Sequence, residues 1–187
     1  MTIAISVGTQ FRFIAATGFS PADSATDYTI GTPTDVLWTP SGVAAAAGRQ
    51  SSKFDFGANR AAAYECNAAI DFTGETLTTP GTIDFYFAPS TSSTAANGNV
   101  AGNSGVDGAA PDGALGSITL VEMVAQCDFI GSLDLHDGAV VQNGFVGVLV
   151  PTSRYGQLIV VNNCSAAFEA DNVETHVVFT AIAQDNV

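Results

Sequence analysis

AYECNAAIDF, residues 63–72, decides the fold class. Tyr64, Cys66, Ala68, Ile70 and Phe72 fall on one side of an extended chain, and Glu65, Asn67 and Asp71 fall on the other. Side chains of a strand alternate between faces, so this stretch predicts a β-strand with one buried face. The same period returns downstream. In TIDFYF (82–87), Ile83, Phe85 and Phe87 oppose Thr82, Asp84 and Tyr86. In THVVFTAI (175–182), Val177, Phe179 and Ala181 oppose His176, Val178, Thr180 and Ile182, which puts His176 on an outer face.

Three further runs are apolar on both sides: ITLVEMVAQCDF (118–129), VVQNGFVGVLV (140–150) and QLIVV (157–161). Strands of this kind need cover on each face, from a second sheet or from a neighbouring subunit. Helical signals are sparse. The best is SGVAAAAG (41–48), where Ala44 to Ala47 are expected to make one or two turns before Gly48 stops them. With 19 glycines and 7 prolines as turn residues, the pattern predicts an all-β protein. Its expected form is an antiparallel β-sandwich, jelly-roll-like, with long loops and an irregular N-terminal segment. Residues 1–50 are expected to supply a strand near Ile3–Ile14 and an extended segment wrapping the core, anchored by Trp38. Residues 51–187 are expected to form the sandwich domain, with a long loop at 89–114.

The composition narrows the partners. Hydrophobic residues make up 47% and charged residues only 12%, about half the roughly 25% usual for soluble domains. So few charges leave much weakly polar or apolar surface, which points to self-association. Lys+Arg is 5 against Asp+Glu 18, a net charge of -13. Counterion release needs clustered cations, and Arg12, Arg49, Lys53, Arg60 and Arg154 are scattered, so direct nucleic-acid binding is not expected. Anionic membranes are disfavoured for the same reason. MTIAISVGTQFRF at the start lacks a basic leader region, and no apolar run approaches the roughly 20 residues of a spanning helix. Cys66, Cys127 and Cys164 are therefore expected to be reduced small hydrophobes, and Asn163-Cys164-Ser165 carries no weight as a glycosylation acceptor.

Chemical motifs are few. Asp55-Phe56-Gly57 matches a kinase metal-binding triplet, but the glycine-rich loop, the strand lysine and the catalytic loop are missing, so it reads as a turn after a strand. Leu133-Asp134-Leu135-His136-Asp137-Gly138 places a histidine between carboxylates; Asp-Gly between apolar strands reads as a hairpin turn. No serine sits in a nucleophile elbow, and no catalysis, metal or cofactor is expected.

The segment PSTSSTAANGNVAGNSGVDGAAPDGA (89–114) has Asp107 and Asp112 as its only charges and Val100 and Val106 as its only sizeable apolar side chains. A loop this long in a compact domain has a function or is disordered. Its side-chain oxygens offer calcium ligands, but at a spacing that fits no EF-hand loop. It is expected instead to be a pliable arm that orders across another protein, with Pro89, Asn97, Asn99, Asn103, Asp107 and Asp112, together with Trp38, as partner contacts.

FDFGANRAAAYECNAAIDFTG (54–74), GTIDFYFAPS (81–90), GNVAGNSGVDGA (98–109) and RYGQLIVVNNCSAAFEADNVETHVVFTAI (154–182) together resemble small β-rich virion structural proteins of tailed bacteriophages. The resemblance spans about residues 54–182 and rests on overall pattern, including Arg154-Tyr155-Gly156 leading into an apolar strand. It implies a capsid decoration (cement) protein, made in the host cytoplasm and placed on the outer surface of the phage head. It further implies a homotrimer that grips the major capsid protein. A tail-associated or carbohydrate-binding jelly-roll module is the alternative, with Trp38, Tyr28, Tyr86 or Tyr155 available to stack on a sugar ring.

Overall fold

A computed structural model describes residues 9–20, 27–78, 81–136 and 139–182. Among them, eleven strands join one sheet and one short helix lies against it. The strands are β1 (Phe11–Ile14), β2 (Thr34–Leu37), β3 (Gly48–Gln50), β4 (Phe54–Asp55), β5 (Tyr64–Asp71), β6 (Thr82–Ser90), β7 (Gly108–Ala110), β8 (Asp128–Asp134), β9 (Val141–Leu149), β10 (Tyr155–Asn162) and β11 (His176–Ala181). The helix is α1 (Leu120–Val124). The sheet runs β2-β1-β11-β5-β9-β8-β6-β10-β3-β7, with β4 added on β10. The first fifty residues contribute β1, β2 and β3 to this same sheet. Of the strand expected near Ile3–Ile14, residues 1–8 lie outside the described residues and Phe11–Ile14 is strand.

The alternation that predicted strands also sets their register. Tyr64, Cys66, Ala68 and Ile70 of β5 are buried on the inner face, as are Ile83, Phe85 and Phe87 of β6 and Val177 and Phe179 of β11. Rings from strands far apart in the sheet order meet inside: Phe13 of β1 lies 5.1 Å from Phe54 of β4, and Phe54 lies 6.2 Å from Phe179 of β11. The sheet must therefore curl until its inner face closes on a shared aromatic core. Each such buried ring contributes about 1.5–3 kcal/mol through area removed from water, and favourable ring pairs add about 0.5–1.5 kcal/mol.

Four expectations are corrected. The sheet is mixed, because β1 pairs parallel with β2 while its other pairings are antiparallel. A parallel pair needs a crossover, and part of that connection passes over β11: Phe19 and Tyr28 pack on His176 at 5.2 and 6.1 Å. His176 does sit on the outer side of β11, yet it is fully buried under this flap. ITLVEMVAQCDF is not a strand throughout. Thr119 caps α1, its hydroxyl accepting from Glu122 N while the Glu122 carboxylate accepts from Thr119 N, and only then does β8 begin. SGVAAAAG makes no helix, since Ala46 N donates to Asn162 O and Asn162 N to Ala47 O, drawing the alanines onto β10.

Of the two-sided runs, QLIVV in β10 finds its second cover within the chain, and residues 118–127 help to supply it. On the outer face, Ala88, Ile159, Val161 and Ala110 pack against Val100, Ile118, Leu120, Met123, Val124 and Cys127. The outer face of the sheet thus carries two flaps, one over β3, β6 and β10 and one over β11.

Candidate interaction surface

The 89–114 segment is folded onto its own protein, which corrects its reading as a free arm. Pro89 belongs to β6 and faces Gly156 of β10 in register. Lys53 Nζ donates to the carbonyls of Ser92, Thr94 and Asn97 at 3.0, 2.7 and 2.7 Å, so the loop wraps an ammonium group as it would a bound cation. Burial pulls this lysine's pKa below the ordinary value. Asn99 Nδ2 donates to Ala95 O and Asn103 O at 2.7 and 3.1 Å. Asn103 is fully buried, its Oδ1 accepting from Gly105 N at 2.7 Å. Asp107 takes a two-point contact from Arg49 at 3.1 and 2.9 Å and also accepts from Thr39 N. Asp112 accepts from Gln50 Nε2 at 2.8 Å, Ser104 N and Ala114 N, and these hydrogen bonds hold its carboxyl below the usual range despite partial burial.

The proposed contact residues are thus brought together, but as an internal clasp. Their partners Arg49, Gln50 and Lys53 come from β3 and the turn after it, which reading the loop's own composition could not reveal. Trp38 is fully buried and out of reach of any partner in this conformation.

The other motifs resolve locally. Asp55 Oδ1 accepts from Gly57 N at 2.7 Å, closing a turn after β4, and both carboxylate oxygens bind Arg154 at 2.7 Å. Hydrogen bonds from Arg154 hold the Asp55 carboxyl below its ordinary range. Antiparallel β8 and β9 come before and after Asp137-Gly138, and the hairpin turn expected there falls on residues outside the described ones. A groove of about 400 Å³ is lined by Asp71, Thr73, Glu169, Asp171, Val173 and Glu174. Among the described residues, no group of three or more His, Cys, Asp or Glu is placed to hold a metal ion, and no helix is long and apolar enough to cross a membrane.

Among the described residues, the middle of the outer face, between the two flaps, remains open. There Phe129 of β8 is 59% exposed, and Phe145 and Val148 of β9 are 58% and 46% exposed. Phe129 faces half-buried Tyr86 of β6 in register, their rings 5.2 Å apart. Two β-bulges build this strip. One falls between Cys66 and Asn67 of β5 and leaves Val146 of β9 unpaired; the other, between Phe85 and Tyr86, leaves Ile130 of β8 unpaired. Past the β9 bulge the alternation is reset, so Val148 joins Phe145 outside and Leu149 goes into the core. Without it, Val148 would be the buried residue.

Electrostatics frame the strip. Glu65 stands opposite Val148, Asp84 opposite Ser132 and Asp134 opposite Thr82, all on the outer side. β5, β6, β8, β9 and α1 contain no lysine or arginine. Four of the chain's five cations are engaged within it: Arg12 with Asp35, Arg49 with Asp107, Arg154 with Asp55, and Lys53 with the loop carbonyls. Sequence reasoning missed the strip, although VVQNGFVGVLV was already marked as apolar on both sides. Comparison with known proteins finds no matching family model, no similar curated protein and no similar solved structure.

Proposed function

We propose that this is a structural assembly protein of the virion decoration type, which self-associates and braces a larger protein shell. In this reading its curled sheet belongs to the jelly-roll-like sandwiches, and the shell is a phage head built from a major capsid protein. The observation that supports it is the bare strip around Phe129, Phe145 and Val148, an apolar face that the chain's own flaps stop short of covering. The sequence resemblance to virion structural proteins points the same way, as do the engaged cations, which leave a surface suited to contact rather than to nucleic acid. Binding here is a matter of area and of several linked weak contacts acting together.

The test is direct. Particles purified from a lysate of the natural host are analysed by mass spectrometry and imaged, and sedimentation of the purified protein gives its oligomeric state. A shell-bound trimer is expected. A monomer absent from every particle defeats the proposal.

A further inference from the structure

We propose that the strip between the two flaps docks a protein surface with an apolar centre and a rim of lysine or arginine, and not a second copy of this chain. The inference rests on the assembly reading and names the chemistry of the partner. Its centre is Phe129, Phe145 and Val148, displayed on the two bulged strands, with Tyr86 of β6 beside Phe129. Its rim is Glu65, Asp84 and Asp134, with no cation on the strands that carry them.

A two-fold contact between copies would set these carboxylates against those of the other copy, with no lysine or arginine on the strands that carry them. A head-to-tail contact would set them against a chain of net charge -13 with four of its five cations already engaged. The repulsion would act beside a partly desolvated centre, where charges interact most strongly. A cationic rim reverses that sign and adds steering from a chain of net charge -13. Self-association in the assembly then uses other surfaces. The bulges support the assignment, since they turn apolar side chains outward where uninterrupted alternation would have buried Val148.

The experiment uses the full-length protein and two fluorescein-labelled twelve-residue peptides. One alternates lysine with valine and phenylalanine; the other has glutamate in place of lysine. Anisotropy should show the lysine peptide binding and the glutamate peptide not binding. Phe145→Ser and Phe129→Ser, which alter exposed side chains at constant charge, should each weaken binding at least tenfold. Glu65→Gln combined with Asp134→Asn should weaken it and flatten its salt dependence. Ile30→Ser, at an exposed apolar residue elsewhere, should leave it unchanged.

Equal binding by wild type and Phe145→Ser overturns the proposal, because attraction to net charge alone would then explain the signal. So does binding of the glutamate peptide, or no binding at all. A dimer or trimer in sedimentation that Phe145→Ser dissolves assigns the strip to a second copy and also overturns it. Absence of the protein from particles refutes the virion role and leaves the peptide result standing, so the two readings fail separately.

Discussion

Replacing Lys53 by methionine keeps the side-chain stem and removes the ammonium that residues 91–99 enclose. Three hydrogen bonds are lost, to Ser92 O, Thr94 O and Asn97 O at 3.0, 2.7 and 2.7 Å. A hydrogen bond to a charged group contributes about 1.5–3 kcal/mol net to stability. These carbonyls lie on an exposed loop and regain water, so the lower end applies to each, discounted by rehydration to about 3 kcal/mol in all. At 1.4 kcal/mol per tenfold, local opening becomes about 100-fold easier. The amides that report it are Thr91 N, donating to Gly98 O, and Asn97 N, donating to Thr94 O, both at 3.1 Å. Hydrogen exchange at these two should accelerate by that factor while amides of β5 and β11 stay protected. Unchanged exchange at Thr91 and Asn97 would show that the loop holds its shape without the lysine. A uniform rise across the sheet would show that Lys53 supports the whole fold instead of this loop.

Other consequences follow from single groups. A Cβ at Gly131 would run into the carbonyl oxygen of Val146, beside the register pair that joins β8 to β9. Gly131→Ala should therefore destabilise the protein by about 3 kcal/mol, or lower Tm by about 9 °C, whereas Gly108→Ala, whose nearest neighbour is 3.9 Å away, should change Tm little. Burial pushes the Cys66 thiol well up, and Cys127 up to about 12 with Asp128 adding to the effect. A thiol reagent at pH 8 should leave Cys66 unlabelled in the native protein and label it on unfolding; rapid native labelling would contradict its burial.

Burial also lowers the pKa of His176, partly opposed by the Glu174 carbonyl and by Asp27 at 3.9 Å and reinforced by Arg12. The unfolded chain then binds the proton first. Stability present above about pH 6.5 should decline as pH falls below it. His176→Gln should flatten that part of the Tm profile, and an identical slope in both proteins would place the titrating group elsewhere.

The bulges in β8 and β9 are the tertiary feature on which the proposed docking strip depends. Period-two alternation was legible for β5, β6 and β11, because one apolar face and one polar face leave a strand a single way to lie on a core. A bulge resets that alternation without a residue type to announce it, so nothing in FVGVLV told which valine would face out. Thr119-x-x-Glu122 was a readable helix start, overlooked because the run around it suits a strand equally well.

From its residues alone the chain could be read as all-β, acidic, poor in charge and rich in strands needing cover on both sides, because side-chain chemistry and local period determine those properties. Which segment supplies that cover was decided only in three dimensions. Cations around residue 50 reach loop residues 41 and 58 positions away, a crossover hides His176, and the 99–127 segment closes one half of the outer face while β8 and β9 stay bare. Such contacts join residues distant along the chain, and their free energy depends on where the sheet has already placed them, a quantity that no local pattern encodes.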